Sequence, residues 1–339
     1  MNKHYSASEL FETLKHVKLS GNTCLYTLEK CESMVDTINQ INKLKEEKNA
    51  VILAHSYVNP DIIFAVADEV GDSYELSKKA RQVKADTIIF VAVKFMAETA
   101  KLLNPDKEVL IPSKLNGCSL ADSITGEQVR TLRTQYPDYS FVCYINTSAE
   151  VKAECDVCVT SSNVYKVIEA LPNPNIYFLP DRLMGQNISN DFKSRGVHKN
   201  ILYWSGSCYV HETYDPDMIR YIRSEFPAVS ILSHPECSPE ITALSDYVGS
   251  TTQMINHVKN TNAESYFMLT ECGLTSRLQL DHPEKKFVGS CTMCRYMKSN
   301  QLDDILRVLK NPEPSDIIHI NHHVSEKASN CLKRMFELS

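Results

Sequence analysis

The chain has 339 residues, 43% of them hydrophobic and 23% charged, a composition typical of globular proteins that bury a large core. The formal net charge is −6 and Lys and Arg form no cluster, which excludes a nucleic-acid-binding protein that depends on a basic surface. No apolar stretch reaches about 18 residues and the N-terminus lacks a signal-peptide core, so we expect a cytoplasmic protein with no membrane partner.

Apolar runs alternate with helix-like segments along the whole chain. This alternation is typical of α/β proteins with largely parallel sheets. The predicted strands are 50–53, 87–93, 140–144, 176–179, 201–204, 229–232 and 266–269.

These elements repeat three times with a period close to 90 residues, which is longer than the repeat of a solenoid. The first strand of each unit ends in a pair of polar or aromatic residues: His55 and Tyr57, Tyr144 and Asn146, His234 and Glu236. Small hydroxyl residues follow at Ser73, Ser162 and Thr251, and a later strand carries Phe90, Phe178 and Phe267. Four landmarks with one period, the fourth being a cysteine in a turn, indicate a repeated structural unit.

The period predicts the domain organisation. We expect three pseudo-symmetric α/β units with parallel sheets around a pseudo-threefold axis, over residues 44–133, 134–223 and 224–310. An N-terminal helical extension is predicted for 1–43, and a C-terminal helix that packs back on the body for 311–339.

The strand-end pairs predict a site at the centre of the three units. Ligands of parallel sheets bind at the carboxyl ends of the strands, and the threefold arrangement would bring the three ends together. The hydroxyl residues Ser73, Ser161, Ser250 and Thr251 precede helical stretches. They are read either as ordinary helix N-caps or as an anion site for carboxylate and phosphate groups, and both readings can hold.

Cysteines are numerous for a cytoplasmic protein, with twelve in the chain, and there they more often indicate metal binding, catalysis or burial than disulfides. Cys118, Cys208 and Cys294 occupy equivalent turns, although Cys291 fits the spacing almost as well as Cys294. Three converging thiolates suit zinc or a 4Fe–4S cluster with one open iron. A rival hypothesis joins Cys155 and Cys158 with Cys291 and Cys294 in a zinc site, across a separation far longer than that of zinc ribbons.

At these positions the sequence resembles the quinolinate synthase family. The matching motifs run in order from about residue 40 to 335: H-S-Y (55–57), G-D-S (71–73), K-F-M-A-E-T-A-K (94–101), N-G-C-S-L-A-D (116–122), Y-I-N-T-S-A-E-V-K-A (144–153), T-S-S-N (160–163), P-D-R-L-M-G (180–185), W-S-G-S-C-Y-V-H (204–211), H-P-E-C (234–237), G-S-T (249–251), T-E-C-G (270–273) and C-R-Y-M-K (294–298).

The resemblance implies an enzyme of NAD biosynthesis that condenses iminoaspartate with dihydroxyacetone phosphate, losing phosphate and two waters. It also implies a functional link to an enzyme that produces iminoaspartate. The cofactor implied is one 4Fe–4S cluster with three cysteine ligands and one open iron. The implied ligands are Cys118, Cys208 and Cys294; the last is chosen over Cys291 because Met297 and Lys298 follow it as in the family.

The resemblance also assigns roles to the polar residues. Tyr57 and Glu236 are implied as acid/base groups, and His55, His234, Tyr144, Asn146 and His211 as residues that orient the substrate. Ser73, Ser161, Ser250 and Thr251 are implied as carboxylate or phosphate holders. Cys291 is a candidate redox partner of Cys294 in a reversible disulfide. Two other functions stay open at this point: a redox- or metal-sensing protein, and a different cluster-dependent hydro-lyase acting on a hydroxy acid.

Overall fold

The computed structural model describes residues 3–18, 23–289 and 292–339. Two N-terminal helices precede the first sheet: α1 (Ala7–Leu14) and α2 (Leu28–Glu47). Ser6 and Thr27 cap them by accepting backbone N–H groups of the first turn. The two helices pack on each other, and α2 also contacts the first strand.

The first sheet is parallel, with strand order β2-β1-β3-β4. Its elements are β1 (Ala50–His55), α3 (Pro60–Ala65), β2 (Glu69–Gly71), α4 (Ser73–Ala80), β3 (Thr87–Val91), α5 (Lys94–Leu103) and β4 (Glu108–Leu110). A 3₁₀ turn (Ala121–Ser123) and α6 (Gly126–Gln135) lead to the second sheet.

The second sheet repeats this order as β6-β5-β7-β8, again parallel. Its elements are β5 (Ser140–Tyr144), α7 (Ala149–Ala153), β6 (Val157–Val159), α8 (Val164–Ala170), β7 (Asn175–Leu179), α9 (Arg182–Ser194) and β8 (Asn200–Tyr203). The helices α10 (Tyr209–Glu212) and α11 (Pro216–Glu225) follow.

The third sheet has the order β10-β9-β11. Its elements are β9 (Val229–Ser233), α12 (Pro239–Leu244), β10 (Tyr247–Val248), α13 (Thr251–Asn260), β11 (Ser265–Leu269) and α14 (Cys272–Asp281). A single parallel bridge between Tyr266 and Phe287 stands where the other two sheets have their fourth strand. The chain ends with α15 (Arg295–Lys298), α16 (Leu302–Lys310), a 3₁₀ turn (Pro314–Asp316) and α17 (His322–Leu338).

The predicted fold class of three α/β units with parallel sheets is confirmed. The three phenylalanines that mark the repeat pair with equivalent positions of the central strands: Phe90 with Leu53, Phe178 with Val142, and Phe267 with Ile231. All seven predicted strands are present, with ends within two residues of those observed. The predicted unit boundaries stay predictions. The helices α2, α6 and α11 each run across one of these boundaries.

The C-terminal helix α17 packs against α7 and β6 of the second sheet, so the chain returns from the third unit to the second. No helix in the described parts of the chain combines the length and the apolar character needed to cross a membrane.

An ion pair also repeats three times and holds each sheet to the helix that precedes it. Asp68, Asp156 and Asp246 each accept the backbone N–H of a central strand, at 2.8, 2.7 and 2.8 Å. Each also receives a basic side chain, from Lys45, Arg133 and Arg223 respectively, at 2.8, 3.1 and 2.8 Å. The same basic side chains donate to the carbonyls of Val66, Glu154 and Leu244. One carboxylate therefore joins the strand and the preceding helix in every unit.

We expect Asp156→Ala to lower the free energy of unfolding by roughly 1–2 kcal/mol, because the N–H of Phe141 loses its acceptor and the partly exposed Arg133 loses its carboxylate partner. The exposed Asp138 lies nearby, and Asp138→Ala is the matched control, expected within about 0.5 kcal/mol of the parent. Urea denaturation measures both. Equal stabilities of the two variants would contradict the role of the repeated ion pair.

Candidate active site

The carboxyl ends of the three central strands meet at one cavity. The predicted site residues that line it are His55, Tyr57, Ser73, Cys118, Tyr144, Asn146, Ser161, Cys208, His211, His234, Glu236, Thr251 and Cys294. They come from all three sheets, as the pseudo-threefold arrangement predicts. Cys291 lies outside the described residues, and Ser250 does not line the cavity.

The same turn follows the central strand in the first and third units. The Nδ1 atom of His55 accepts the backbone N–H of Tyr57 at 3.1 Å, and Nδ1 of His234 accepts that of Glu236 at 3.3 Å. Burial lowers the pKa of His55 to about 4 and that of His234 to about 3, so both rings are neutral near pH 7. Because Nδ1 is an acceptor, the ring proton lies on Nε2 in both residues.

Glu236 is a buried carboxylate with two strong donors. Tyr144 donates to Oε1 at 2.7 Å, and Nδ1 of His211 lies 3.0 Å from Oε2. Burial alone would raise the pKa of Glu236, but the neighbouring imidazole of His211 and the hydrogen bonds from His211 and Tyr144 lower it below its usual value. Glu236 is therefore ionised at neutral pH and can take up a proton.

Tyr57 presents the opposite protonation state. Its hydroxyl oxygen receives a hydrogen bond from Thr251 at 2.8 Å and lies 2.8 Å from the hydroxyl of Thr270. Burial raises its pKa well above the ordinary value, against the smaller lowering effect of these two hydroxyls. The phenol is therefore protonated at neutral pH and can donate a proton.

The hydroxyl clusters of the three units meet beside the cavity around the carboxylate of Asp72. Ser162 donates to Ser250 at 2.8 Å, and Ser250 donates to Oδ2 of Asp72 at 3.4 Å. The backbone N–H of Thr252 reaches the same oxygen at 3.2 Å. Ser250 also caps α13, so its hydroxyl is engaged there and the geometry does not support it as a direct substrate holder. Ser73, Ser161 and Thr251 remain on the cavity wall.

Cys118, Cys208 and Cys294 each begin a tight turn that directs backbone N–H groups at their own sulfur. The donors are Leu120 and Ala121 for Cys118, Val210 and His211 for Cys208, and Tyr296 and Met297 for Cys294. They therefore stand two and three positions after the cysteine in every unit. Burial raises the pKa of all three thiols, that of Cys118 to about 12, so a cation is needed to hold them as thiolates. Partly buried thiols with paired N–H donors fit a metal–sulfur centre.

The ionised carboxylate of Glu236 lies next to one of these thiols. The sulfur of Cys208, a ring nitrogen of His211 and a carboxylate oxygen of Glu236 all lie within 4.8 Å of one another. A centre held by the three thiols would therefore sit beside the carboxylate that can accept a proton.

The rival zinc hypothesis is wrong in its pairing. Cys155 and Cys158 lie with Cys143 and Cys331 between the second sheet and α17, whereas Cys294 lines the central cavity. The sulfurs of Cys143 and Cys331 are 3.7 Å apart. Within the described residues, no three of these four sulfurs lie mutually within 4.8 Å, so they form no ready site for a single zinc ion.

Four polar residues of the site were missed by the sequence reasoning: Asp72, Thr270, Glu271 and Lys298. The buried Glu271 accepts the backbone N–H of Cys294 at 3.1 Å and lies 3.4 Å from Nζ of Lys298. Lys298 in turn donates to the carbonyl of Tyr57 at 2.6 Å. Glu271 and Lys298 therefore connect a cavity thiol with the turn that carries the phenol. The motifs T-E-C-G and C-R-Y-M-K contained three of these residues, but nothing in them indicated these contacts.

Comparison with known proteins identifies the family. A profile described as Quinolinate synthetase A protein matches residues 39–337. The chain belongs to this family. A relative named Quinolinate synthase 1, from Mesorhizobium japonicum, is 44% identical over 301 residues, which cover 89% of this chain and 91% of the relative. Quinolinate synthase from Agrobacterium fabrum is 39% identical over 340 residues, covering 100% and 94%. That from Alkaliphilus metalliredigens is 40% identical over 303 residues, covering 89% and 98%. The family resemblance inferred from the motifs is confirmed.

Proposed function

We propose that this protein is a quinolinate synthase, which condenses iminoaspartate with dihydroxyacetone phosphate to form quinolinate, phosphate and two waters in NAD biosynthesis. The observation that carries the proposal is one cavity that joins a protonated phenol, an ionised carboxylate and three N–H-supported thiols in a member of this family. The cytoplasmic location expected from the sequence stays a prediction.

We assign Cys118, Cys208 and Cys294 as the ligands of one 4Fe–4S cluster. The support is that each unit contributes one partly buried thiol with the same pair of backbone donors, which leaves three protein ligands for four irons. When bound, such a cluster supplies an iron without a protein ligand, which acts as a Lewis acid toward a substrate oxygen.

The protonation states divide the acid/base work between two residues. The reaction must remove protons from carbon or nitrogen and supply protons to departing oxygens. Glu236 is ionised in the resting cavity and accepts the protons removed from carbon or nitrogen. Tyr57 is protonated there and supplies protons to the departing oxygens. The Nε2–H groups of His55 and His234 add two neutral donors that orient substrate oxygens.

The hydroxyls hold the anionic ends of the substrates. Ser73, Ser161 and Thr251 line the cavity beside the starts of α4, α8 and α13, whose helix dipoles add to the attraction for anions. Tyr144 and Asn146 complete the wall from the second unit. Ser250 does not line the cavity but is hydrogen-bonded to Ser162 and Asp72 next to it.

We also propose a functional link to an enzyme that produces iminoaspartate. The substrate is an imine and hydrolyses in water, so it must be delivered soon after it forms. The alternative of a redox or metal sensor leaves the buried phenol and carboxylate without a task, and no observation favours it.

An anaerobic turnover assay with both proposed substrates tests the activity. We expect quinolinate to form together with one equivalent of inorganic phosphate. A hydroxy-acid dehydratase would instead convert a hydroxy acid alone, so the same assay without dihydroxyacetone phosphate serves as the control. Absence of quinolinate from a protein that carries iron would overturn the proposed function.

We expect the protein purified without oxygen to be brown and to contain about four irons per chain. Cys294→Ser should lose most of this iron because two thiolates remain. Cys31→Ser, which changes a buried cysteine of α2 outside the cavity, should retain it. Iron analysis and the visible spectrum measure both. Full iron content in Cys294→Ser would show that the ligand assignment is wrong, and a colourless active protein with one zinc would end the iron–sulfur hypothesis.

Tyr57→Phe and Glu236→Gln should each slow turnover by roughly 10²-fold, the usual contribution of a general acid or base, while the iron content stays unchanged. The reason is that each substitution keeps the shape of the side chain and removes its proton-transfer group. Rates are measured on anaerobic samples of matched iron content. Near-parental rates in both variants would remove the acid/base assignment.

A further inference from the structure

Four cysteines form a cluster between the second sheet and α17, outside the central cavity, and the proposed function gives them no role. They are Cys143 in β5, Cys155 just before β6, Cys158 in β6 and Cys331 in α17. The sulfurs of Cys143 and Cys331 lie 3.7 Å apart. The thiol of Cys143 also interacts with those of Cys155 and Cys158, so Cys143 is the centre of the cluster.

A buried ammonium group favours a thiolate in this cluster. The side chain of Lys152 is fully buried, and its Nζ atom donates to the carbonyl of Ile145, at 2.8 Å, and to that of Thr147. These acceptors are neutral oxygens, so they solvate the positive charge without cancelling it. Burial opposes ionisation of Cys143, but the neighbouring thiols and the charge of Lys152 together lower the pKa of Cys143 well below its ordinary value. Cys143 is therefore the best nucleophile of the four.

Cys155 is the member of the cluster that solvent reaches. It lies in the turn before β6 and is partly exposed, whereas Cys143, Cys158 and Cys331 are buried. A small disulfide molecule can therefore react at Cys155 and leave a mixed disulfide there. Cys143 interacts directly with this sulfur and is placed to attack it.

Cys331 is better placed than Cys158 to become the final partner of Cys143. Cys143 and Cys158 are paired residues of neighbouring parallel strands, whose backbones the sheet holds in place. The thiol of Cys158 also donates to the carbonyl of Val159, at 3.8 Å. Cys331 instead lies on a helix that packs against the sheet, and its sulfur already contacts that of Cys143, so side-chain rotation can bring the two sulfurs to bonding distance.

We propose that this cluster is a redox site, in which a low-molecular-weight disulfide oxidises Cys143 and Cys331 to a disulfide bond and Cys155 is the entry thiol. The thiolate of Cys155 breaks the S–S bond of the reagent and releases one thiol. Cys143 attacks the sulfur of Cys155 and releases the second thiol, and Cys331 then attacks the sulfur of Cys143 and frees Cys155. Overall, Cys143 and Cys331 lose two electrons and two protons, which convert the reagent to two thiols.

The new bond would tie α17 to β5 across 188 positions of the chain. A cross-link over so long a loop restricts the unfolded chain and stabilises the folded one. The proposal concerns thiols outside the active site and does not depend on the proposed function.

Disulfide mapping by mass spectrometry tests the proposal on the whole protein, purified without oxygen. We expect treatment with bis(2-hydroxyethyl) disulfide, followed by alkylation of the remaining thiols, to link Cys143 to Cys331 in most molecules. Dithiothreitol should restore both thiols. Cys155→Ala should form this bond at least about tenfold more slowly, because the entry thiol is lost. Cys31→Ala is the matched control: it removes a buried cysteine of α2 and should form the bond at the parental rate.

Thermal unfolding measures the consequence of the bond. The oxidised parent should unfold at least about 3 °C above the reduced parent, and Cys331→Ala should show no such rise. Mapping of the parent needs no variant, so it decides the matter even where Cys331→Ala does not fold.

The proposal is overturned if the treated parent carries no Cys143–Cys331 bond, whether it stays reduced, keeps a mixed disulfide at Cys155 or links Cys143 to Cys158. It is also overturned if Cys155→Ala forms the bond as fast as Cys31→Ala. The same treatment in denaturing urea controls for pairing in unfolded chains. A bond that forms no faster in the native protein than in urea would show that the folded cluster does not direct it.

Discussion

The carboxylate of Asp72 lies where the three units meet, and the arrangement of the cavity depends on it. One oxygen accepts the backbone N–H groups of Tyr74 and Glu75 in its own unit. The other accepts from Ser250 and from the backbone of Thr252 in the third unit. A negative group at this junction offsets the positive ends of the converging helices, which would otherwise repel one another. Neighbouring hydroxyls remain on the cavity wall to bind substrate.

Burial then sets the chemistry of the groups around the junction. The same low-polarity surroundings keep His55 and His234 neutral and Tyr57 protonated, because each would be charged in its other state. Glu236 is the exception, and hydrogen bonds from Tyr144 and His211 are what keep it ionised. An acid and a base thus coexist in one cavity because the effect of hydrogen bonds on the pKa outweighs burial at Glu236, whereas burial outweighs it at Tyr57.

Much of this arrangement could be predicted from the sequence, because equivalent residues of the three units are separated by a nearly constant number of positions. The period located the strand-end pairs and the three thiols, and the motifs of the family chose Cys294 over Cys291. The two- and three-residue strands, such as β10, were missed because so short a run carries no pattern. Spacing also could not tell which hydroxyl faces the cavity. Ser162 and Thr251 are equivalent in sequence, yet Ser162 turns toward Ser250 while Thr251 reaches Tyr57.

Three of the residues that the sequence reasoning missed, Asp72, Thr270 and Lys298, have partners in other units. Thr270 contacts residues 213 and 59 positions away, and Lys298 reaches a carbonyl 241 positions away. The ion pairs of Asp68, Asp156 and Asp246 repeat with the period, but aspartate beside a turn is too common to attract notice. Only the assembled fold shows which of these side chains meet.

The provision of one thiol by each unit has a thermodynamic consequence. No single sheet holds a complete binding site, so whatever the three thiols bind together is bound only by the docked arrangement of all three units. By linkage, the binding free energy of the bound group also stabilises the docked arrangement of the three units. Loss of that group therefore weakens the contacts between units as well as the activity. Binding at the three thiols and docking of the three units are therefore thermodynamically coupled.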